Sequence, residues 1–191
     1  MLRGEKTINK KMTLAFVIVA LIIISALILL SNHSSTTSQS QNVTVGMPAP
    51  NYGFFLANGS EVNINTYRGK PVLLWFVATW CSSCAQGNEV INQNYNFFKS
   101  HGITIVELEL YKDLGYSGPP IADFVDSYAL EAYSNGTVVP ALAGYNMTAV
   151  YDLRGYLDIY YLLASNGTVL YINGSPSATL SQLEQAINNS M

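Results

Sequence analysis

The longest apolar run in the chain, Met12 to Leu30, holds 19 residues with no charge and only Thr13 and Ser25 as interruptions. At the helical rise it spans about 28 Å, close to the depth of a bilayer's hydrocarbon core, and it predicts a transmembrane helix. The next stretch, Ser31 to Gln41, is Ser, Thr, Gln, Asn and one His. With nothing to bury, it predicts a flexible stalk. Beyond Asn42 the pattern changes to short apolar runs divided by Gly, Pro and Asn-Gly turns, long enough in sum for one domain with its own core. The chain thus divides into a basic N-terminus (1–11), an anchor (12–30), a stalk (31–41) and a globular domain (42–191).

Within that domain, Glu61-Val-Asn-Ile-Asn65 alternates like a short half-buried strand after the Asn58-Gly59 turn. Val72 to Ala78 is continuous, β-branched and aromatic, opened by Pro71, and predicts a buried strand. Ala85 to Ser100 is compatible with one helix stopped at Gly102. Ile103 to Leu110 reads as a second buried strand, interrupted in its last half by Glu107 and Glu109. Gly115 to Pro120 predicts a loop. Pro119-Pro120 then starts a helix over Ile121 to Tyr133, with Ile121, Phe124, Val125, Tyr128 and Leu130 as its apolar face. Val138 to Leu142 predicts a short strand and Met147 to Leu153 a brief helix. Ile159 to Ala164 and Thr168 to Ile172, joined through Ser165-Asn-Gly167, predict an antiparallel hairpin. Ser177 to Ile187 closes the chain as a helix with Leu180, Leu183 and Ile187 at helical spacing. The alternation predicts an α/β sandwich with a mixed sheet.

Charge adds orientation. Arg3, Lys6, Lys10 and Lys11 precede the apolar run, and no Lys or Arg follows until Arg68. That asymmetry sets the N-terminus in the cytoplasm and the domain outside the cell membrane. The length of the run and the lack of an Ala-x-Ala pattern after Leu30 favour an uncleaved, single-pass signal anchor over a cleaved leader. From Ser31 on, five bases face eleven acids, a formal net charge of −6. No basic patch exists to hold nucleic-acid phosphates. Eight Asn-x-Ser/Thr sequons, at Asn32, Asn42, Asn58, Asn135, Asn146, Asn166, Asn173 and Asn188, all lie beyond the anchor. An extracytoplasmic glycoprotein would place them there. Asn58, Asn135, Asn166 and Asn173 each precede a glycine and read equally as turn residues.

The only two cysteines sit in Trp80-Cys-Ser-Ser-Cys84, where the Val72 strand gives way to a helix. Unpaired N–H groups and the positive end of the dipole at a helix N-terminus favour thiolate over thiol at Cys81. Two thiols separated by two residues can close and reopen a small disulfide ring, as a dithiol–disulfide exchanger requires. A structural disulfide is disfavoured, because so small a ring removes little unfolded-chain entropy. Zinc would have these two sulfurs plus His33 and His101, or a site shared between two chains. The strand–CxxC–helix context favours redox chemistry over metal binding.

Three segments carry a family resemblance: Gly69-Lys-Pro-Val-Leu-Leu-Trp-Phe-Val-Ala-Thr-Trp-Cys-Ser-Ser-Cys84, Tyr151-Asp-Leu-Arg-Gly155, and Tyr160 to Ile172 with its Asn-Gly turn. From Asn42 to Asn188 the chain resembles the thioredoxin-like superfamily, and most of all its membrane-anchored, extracytoplasmic branch of TlpA/ResA-type thiol–disulfide oxidoreductases. The resemblance implies a three-layer sandwich, with Gly118 to Leu142 as a family-typical helical insertion. It also implies Cys81 as the exposed attacking thiolate and Cys84 as the buried resolving thiol, together a redox-active disulfide, with Trp80 shaping the docking face. No cofactor or metal is implied. The implied partners are thiols and disulfides of exported proteins, apocytochromes or oxidase subunits among them, and an upstream electron donor or acceptor.

The chain departs from the family at three places. The family places a cis-proline opposite the CxxC, where its backbone pairs with substrate. Here Gly155 is followed by Tyr156-Leu157-Asp158, so Leu157 or Asp158 stands in the docking position, in a trans or irregular loop. Trp75 occupies the place of a buried acid found in many thioredoxins. Glu107 or Glu109 is left to take the proton from Cys84, or to be solvated at the sheet edge. The proline that kinks the active-site helix is missing too; Glu89 stands near it, and Gly87 would bend the helix instead. Ser82-Ser83 marks neither an oxidant nor a reductant. A peroxiredoxin is disfavoured, since Thr79 lies two residues before Cys81 and the Thr-x-x-Cys arrangement is missing. Two other readings stand beside the exchanger. One is an SCO-like copper assembly factor for a respiratory oxidase, since two thiolates suit Cu(I). That family uses a wider cysteine spacing and a downstream histidine, for which only His101 is on offer. The other is a non-catalytic binding module that keeps the fold.

Overall fold

The computed structural model describes residues 42–190. The anchor, the stalk and the sequon at Asn32 lie outside them, and among the described residues no helix is long and apolar enough to cross a membrane.

The strands are β1 (Gly53–Leu56), β2 (Glu61–Asn63), β3 (Val72–Val77), β4 (Thr104–Glu109), β5 (Val138–Ala143), β6 (Ile159–Leu163) and β7 (Val169–Gly174). The helices are α1 (Ser82–Gln93), α2 (Tyr95–Ser100), α3 (Ile121–Ser134), α4 (Tyr145–Tyr151) and α5 (Pro176–Ser190). One mixed sheet runs in the order β2-β1-β5-β4-β3-β6-β7. β3, β4 and β5 are parallel, while β6 pairs antiparallel with β3 and with β7. Each parallel pair is joined through a helix, as parallel strands require.

Every residue of β3 is buried, as a central strand covered on both faces demands. Leu73, Trp75 and Val77 enter one apolar layer with Ile91 of α1, Phe124 and Val125 of α3, and Leu183 and Ile187 of α5. Val72, Leu74 and Phe76 enter the other, with Phe54, Met147 and Tyr151 of α4, and Ile64 from a 3-10 turn over Ile64–Tyr67. The result is the expected three-layer α/β sandwich. The Ser165-Asn-Gly167 hairpin also forms, with Gly167 at φ +85 and its N–H bonded to the Ala164 carbonyl.

Several expectations are corrected. The helix expected from Ala85 starts at Ser82 and is interrupted at Asn94, whose side-chain Nδ2 donates to the Val90 carbonyl. The strand expected over Glu61–Asn65 gives way at Ile64 to the 3-10 turn. Tyr128 and Leu130 are exposed, because Ala129 leaves helical geometry (φ −139) and turns itself and Ala132 inward. That kink leaves the Ala132 N–H to be accepted by Asn92 Oδ1 of α1. The strand expected over Val138–Leu142 does form, as β5, and lies between β1 and β4 in the sheet. Asn58, Asn135 and Asn166 are turn residues, each accepting the N–H two positions on, whereas Asn173 lies within β7.

Candidate active site at the Cys81–Cys84 disulfide

The chain leaves β3 at Val77, and Cys81 becomes the N-cap of α1 with extended backbone (φ −84, ψ 119). Its Sγ accepts the Cys84 N–H at 3.2 Å, taking the place a Ser or Asp oxygen fills at most helix starts. Cys81 and Cys84 are joined as a disulfide with Cα atoms 5.3 Å apart. Cys84 is fully buried, and Cys81 keeps 5% of its surface exposed. The Ser83 hydroxyl lies 3.2 Å from Cys81 Sγ. The first turn of α1 therefore presents two donors to one sulfur.

Beneath this turn lies a buried polar layer. Trp75 is wholly buried, and its indole N–H needs an acceptor. Asp158 Oδ1 supplies it at 2.8 Å. Asp158 sits in the left-handed region (φ +72), which Asp tolerates better than most side chains. Its N–H donates to the Phe76 carbonyl at 3.0 Å, and its own carbonyl accepts from Ser175 at 2.8 Å. Gly87 completes the fit: a Cβ there would lie 2.7 Å from Trp75 Cζ2 and 3.5 Å from Asp158 Oδ1. The expectation that Asp158 docks substrate is thereby corrected, since it is 1% exposed and its backbone groups are both engaged internally. Leu157 is half-buried and packs against both apolar layers. No cis peptide bond occurs among the described residues.

Glu107 lies on central strand β4, in register with Trp75, and is fully buried. It is not a solvated edge residue. Burial pushes its pKa up to about 8, against the Asn88 hydrogen bond and with the Asp158 charge. Asn88 Nδ2 donates to Glu107 Oε1 at 2.7 Å and also approaches the Cys84 carbonyl at 3.4 Å. Glu107 Oε2 and Asn88 Oδ1 have no partner. Glu109 is pushed up to about 7 by partial burial and by the Asp113 charge. Burial likewise raises Asp158, opposed by Trp75, Ser175 and Ser83.

The outer wall comes from the segment after β4. Lys112, Asp113 and Leu114 are all left-handed, at φ +52, +52 and +57. Each such non-glycine conformation is costly and persists only when its surroundings hold it. Here Asp113 Oδ1 accepts the Thr79 N–H at 2.9 Å, and Oδ2 accepts the Thr79 hydroxyl at 2.6 Å. The Asp113 carbonyl accepts the Trp80 indole N–H at 2.8 Å. Trp80, 38% exposed, packs on Tyr116 with ring centroids 4.8 Å apart. Trp80 thus stands at the surface, next in the chain to Cys81.

His101 caps the far end of α2, with Nδ1 2.9 Å from the Phe97 carbonyl, near Pro71 at the start of β3 and so away from the CxxC end. Among the described residues no group of three His, Cys, Asp or Glu side chains gathers to hold a metal ion. Sequence reasoning missed Asn88, Asp113 and the Trp75–Asp158 pair. The signal for the pair was present, in an unusual Trp within an apolar strand and an unusual Asp in a loop expected to hold proline.

The chain matches the AhpC/TSA family over residues 45–114. It is 27% identical over 122 residues to the thiol-disulfide oxidoreductase ResA of Bacillus cereus, covering 64% of this chain and 68% of that protein. The thioredoxin domain of a thiol-disulfide oxidoreductase from Bacteroides vulgatus superposes with a TM-score of 0.57 at 20% identity, over 77% of this chain and 100% of that one. Arabidopsis thaliana ScoI with copper bound gives 0.55 at 14% identity, over 76% and 99%. The two structural likenesses show the fold. The stretch matched to the AhpC/TSA family, residues 45–114, contains β3, the CxxC turn and α1.

Proposed function

We propose that this protein is a membrane-tethered thiol–disulfide oxidoreductase that exchanges disulfides with exported proteins through Cys81 and Cys84. The observation that carries the reading is the asymmetry of the pair at the start of α1. The cysteine whose sulfur accepts the capping N–H keeps 5% of its surface exposed, and its partner is fully buried. In the reduced form the Cys81 thiolate attacks one sulfur of a substrate disulfide. That S–S bond breaks, the other substrate sulfur leaves as thiolate, and a mixed disulfide forms. Cys84 then loses its proton to the ionised fraction of Glu107, which grows as pH rises toward about 8 and which Asn88 ties to the Cys84 turn. The resulting thiolate attacks Cys81 Sγ, closing the ring and releasing the substrate's second thiolate. Run backward, the same steps oxidise a substrate dithiol.

The tether and the extracytoplasmic location rest on the Met12–Leu30 run and the lysines before it. Glycans at the sequons beyond the anchor belong to the same reading. The SCO-like alternative is not favoured, because His101 stands at the wrong end of the sheet to join the two sulfurs. The test is Cys84→Ser in the full chain in its native membrane. Mixed disulfides should accumulate through Cys81 and be released by reductant. A variant that traps no partner, with Cys81 still open to alkylation, overturns the exchange reading.

A further inference from the structure

Asp152 follows α4 as its C-cap, with its N–H donating to the Thr148 carbonyl at 2.8 Å and its own carbonyl accepting from Gly155 at 3.0 Å. The residue is only 5% exposed, and neither carboxyl oxygen has a hydrogen-bond partner among the described residues. The donors nearby are turned elsewhere. Tyr151 and Tyr161 give their hydroxyl protons to the carbonyls of Pro50 and Tyr151. Arg154, two residues on, donates to the Tyr156 hydroxyl at 3.4 Å, with its Cζ 5.9 Å from the centre of that ring. A buried carboxyl with two empty acceptors is uncommon in a folded protein. At the C-terminal end of a helix its charge also has the wrong sign for the dipole.

Asp152 borders an open cavity of about 250 Å³. Tyr151 and Tyr161, in the wall of the cavity, belong to the apolar layer on the face of the sheet away from the cysteines. Tyr156 adds a third ring, and Val43 and Val150 an aliphatic side. The volume is below the roughly 300 Å³ at which pockets begin to take drug-sized ligands, so the occupant is small. A carboxylate among aromatic rings suits an organic cation, and the valines suit an alkyl stem. We propose that this cavity binds a primary ammonium group on a short alkyl stem, carried by a free amine or by a lysine side chain of a partner polypeptide. The Asp152 side chain turns its oxygens from beneath the wall onto the ammonium, which donates to them. Arg154, exposed at the rim, is the competing cation. Burial pushes Asp152 up to about 6, opposed by the Tyr156 N–H, so the carboxyl carries its charge above that pH. The other titratable groups around the cavity are Arg154 and the three tyrosines. Burial and the Asp152 charge push Tyr161 up to about 12, and burial raises Tyr151.

The site is independent of the disulfide chemistry, and so is its test. The full-length protein in detergent is melted with n-butylammonium chloride, against sodium chloride at the same ionic strength and against butanol. The dependence of the melting point on concentration gives the affinity. Butylammonium should stabilise saturably and butanol should not. From pH 7 to pH 5 the affinity should fall about tenfold, following the ionised fraction of Asp152. Asp152→Asn should weaken binding at pH 7 by about tenfold or more and abolish the pH dependence. Arg154→Ala removes the competitor and should tighten binding by about twofold or more. Binding untouched by Asp152→Asn, equal affinity at pH 5 and pH 7, or binding lost with Arg154 overturns the proposal. If Asp152→Asn does not fold, the two pH values on the unaltered protein decide alone. Lysine blocked at both backbone ends is run beside butylammonium. Tighter binding of the blocked lysine assigns the site to a polypeptide side chain, and weaker binding assigns it to a free amine. No saturable stabilisation by either probe overturns the proposal.

Discussion

Replacing Glu107 by Gln separates what the buried carboxyl does for stability from what it does for exchange. Glu107 is fully buried with a pKa near 8, against an ordinary value of 4.5. Between those two pH values the native state holds a proton that the unfolded chain has lost. Stability is therefore complete below the ordinary value and falls as pH rises through the folded one, by about 1.4 kcal/mol per pH unit. At pH 7 the accumulated cost is on the order of 3 kcal/mol. Gln keeps an oxygen for Asn88 Nδ2 and carries no charge, so the variant should be the more stable protein at neutral pH. A domain of this size gains about 2–4 °C per kcal/mol, which predicts a melting point roughly 6–12 °C higher at pH 7. Near pH 4.5 the two proteins should melt together. Circular dichroism melts of the oxidised full-length protein in detergent, from pH 4.5 to 8.5, measure this. Parallel curves for the two proteins would refute the assignment of a costly buried acid. The same variant should resolve mixed disulfides more slowly, because Cys84 loses its proton acceptor. Stability and exchange then move in opposite directions.

The remaining predictions concern the supports of the CxxC turn. Gly87→Ala should cost about 1–3 kcal/mol despite the better helix propensity of alanine, because its Cβ meets the Trp75 ring; a higher urea midpoint would contradict this. Asp113→Ala removes both hydrogen bonds to Thr79 and the anchor of the left-handed turn, for a loss of roughly 2–4 kcal/mol. Acrylamide should also quench Trp80 more readily in that variant, and unchanged quenching would show that Trp80 is held by other means. Trp75→Phe leaves Asp158 Oδ1 without its donor and should cost about 2–4 kcal/mol, read from the urea midpoint at neutral pH.

The fold was legible where periodicity and turn chemistry agree. The continuous β-branched run of β3 and the Asn-Gly hairpin of β6 and β7 form as expected, and the cysteines sit at the strand–helix junction. Local pattern fell short wherever tertiary partners decide. Glu107 reads as an interruption in a one-dimensional pattern, yet β4 is central and Asn88 is in place to receive the carboxyl. Leu130 has helical spacing, but the kink at Ala129 turns it outward. Asp113 lies 34 residues from the Thr79 that it holds, a separation no window of local sequence spans.

Trp75, Gly87 and Asp158 also constrain how this sequence can change. A proline at 158 cannot adopt φ +72 and has no N–H for the Phe76 carbonyl. It would also strip the buried indole of its acceptor. A side chain at 87 needs the indole gone first, and losing the indole alone strands a buried carboxyl oxygen. Each single step toward the more usual arrangement therefore passes through a misfit, and only concerted replacement avoids it. The three positions behave as one inherited character, and a lineage that acquired it would be slow to give it up.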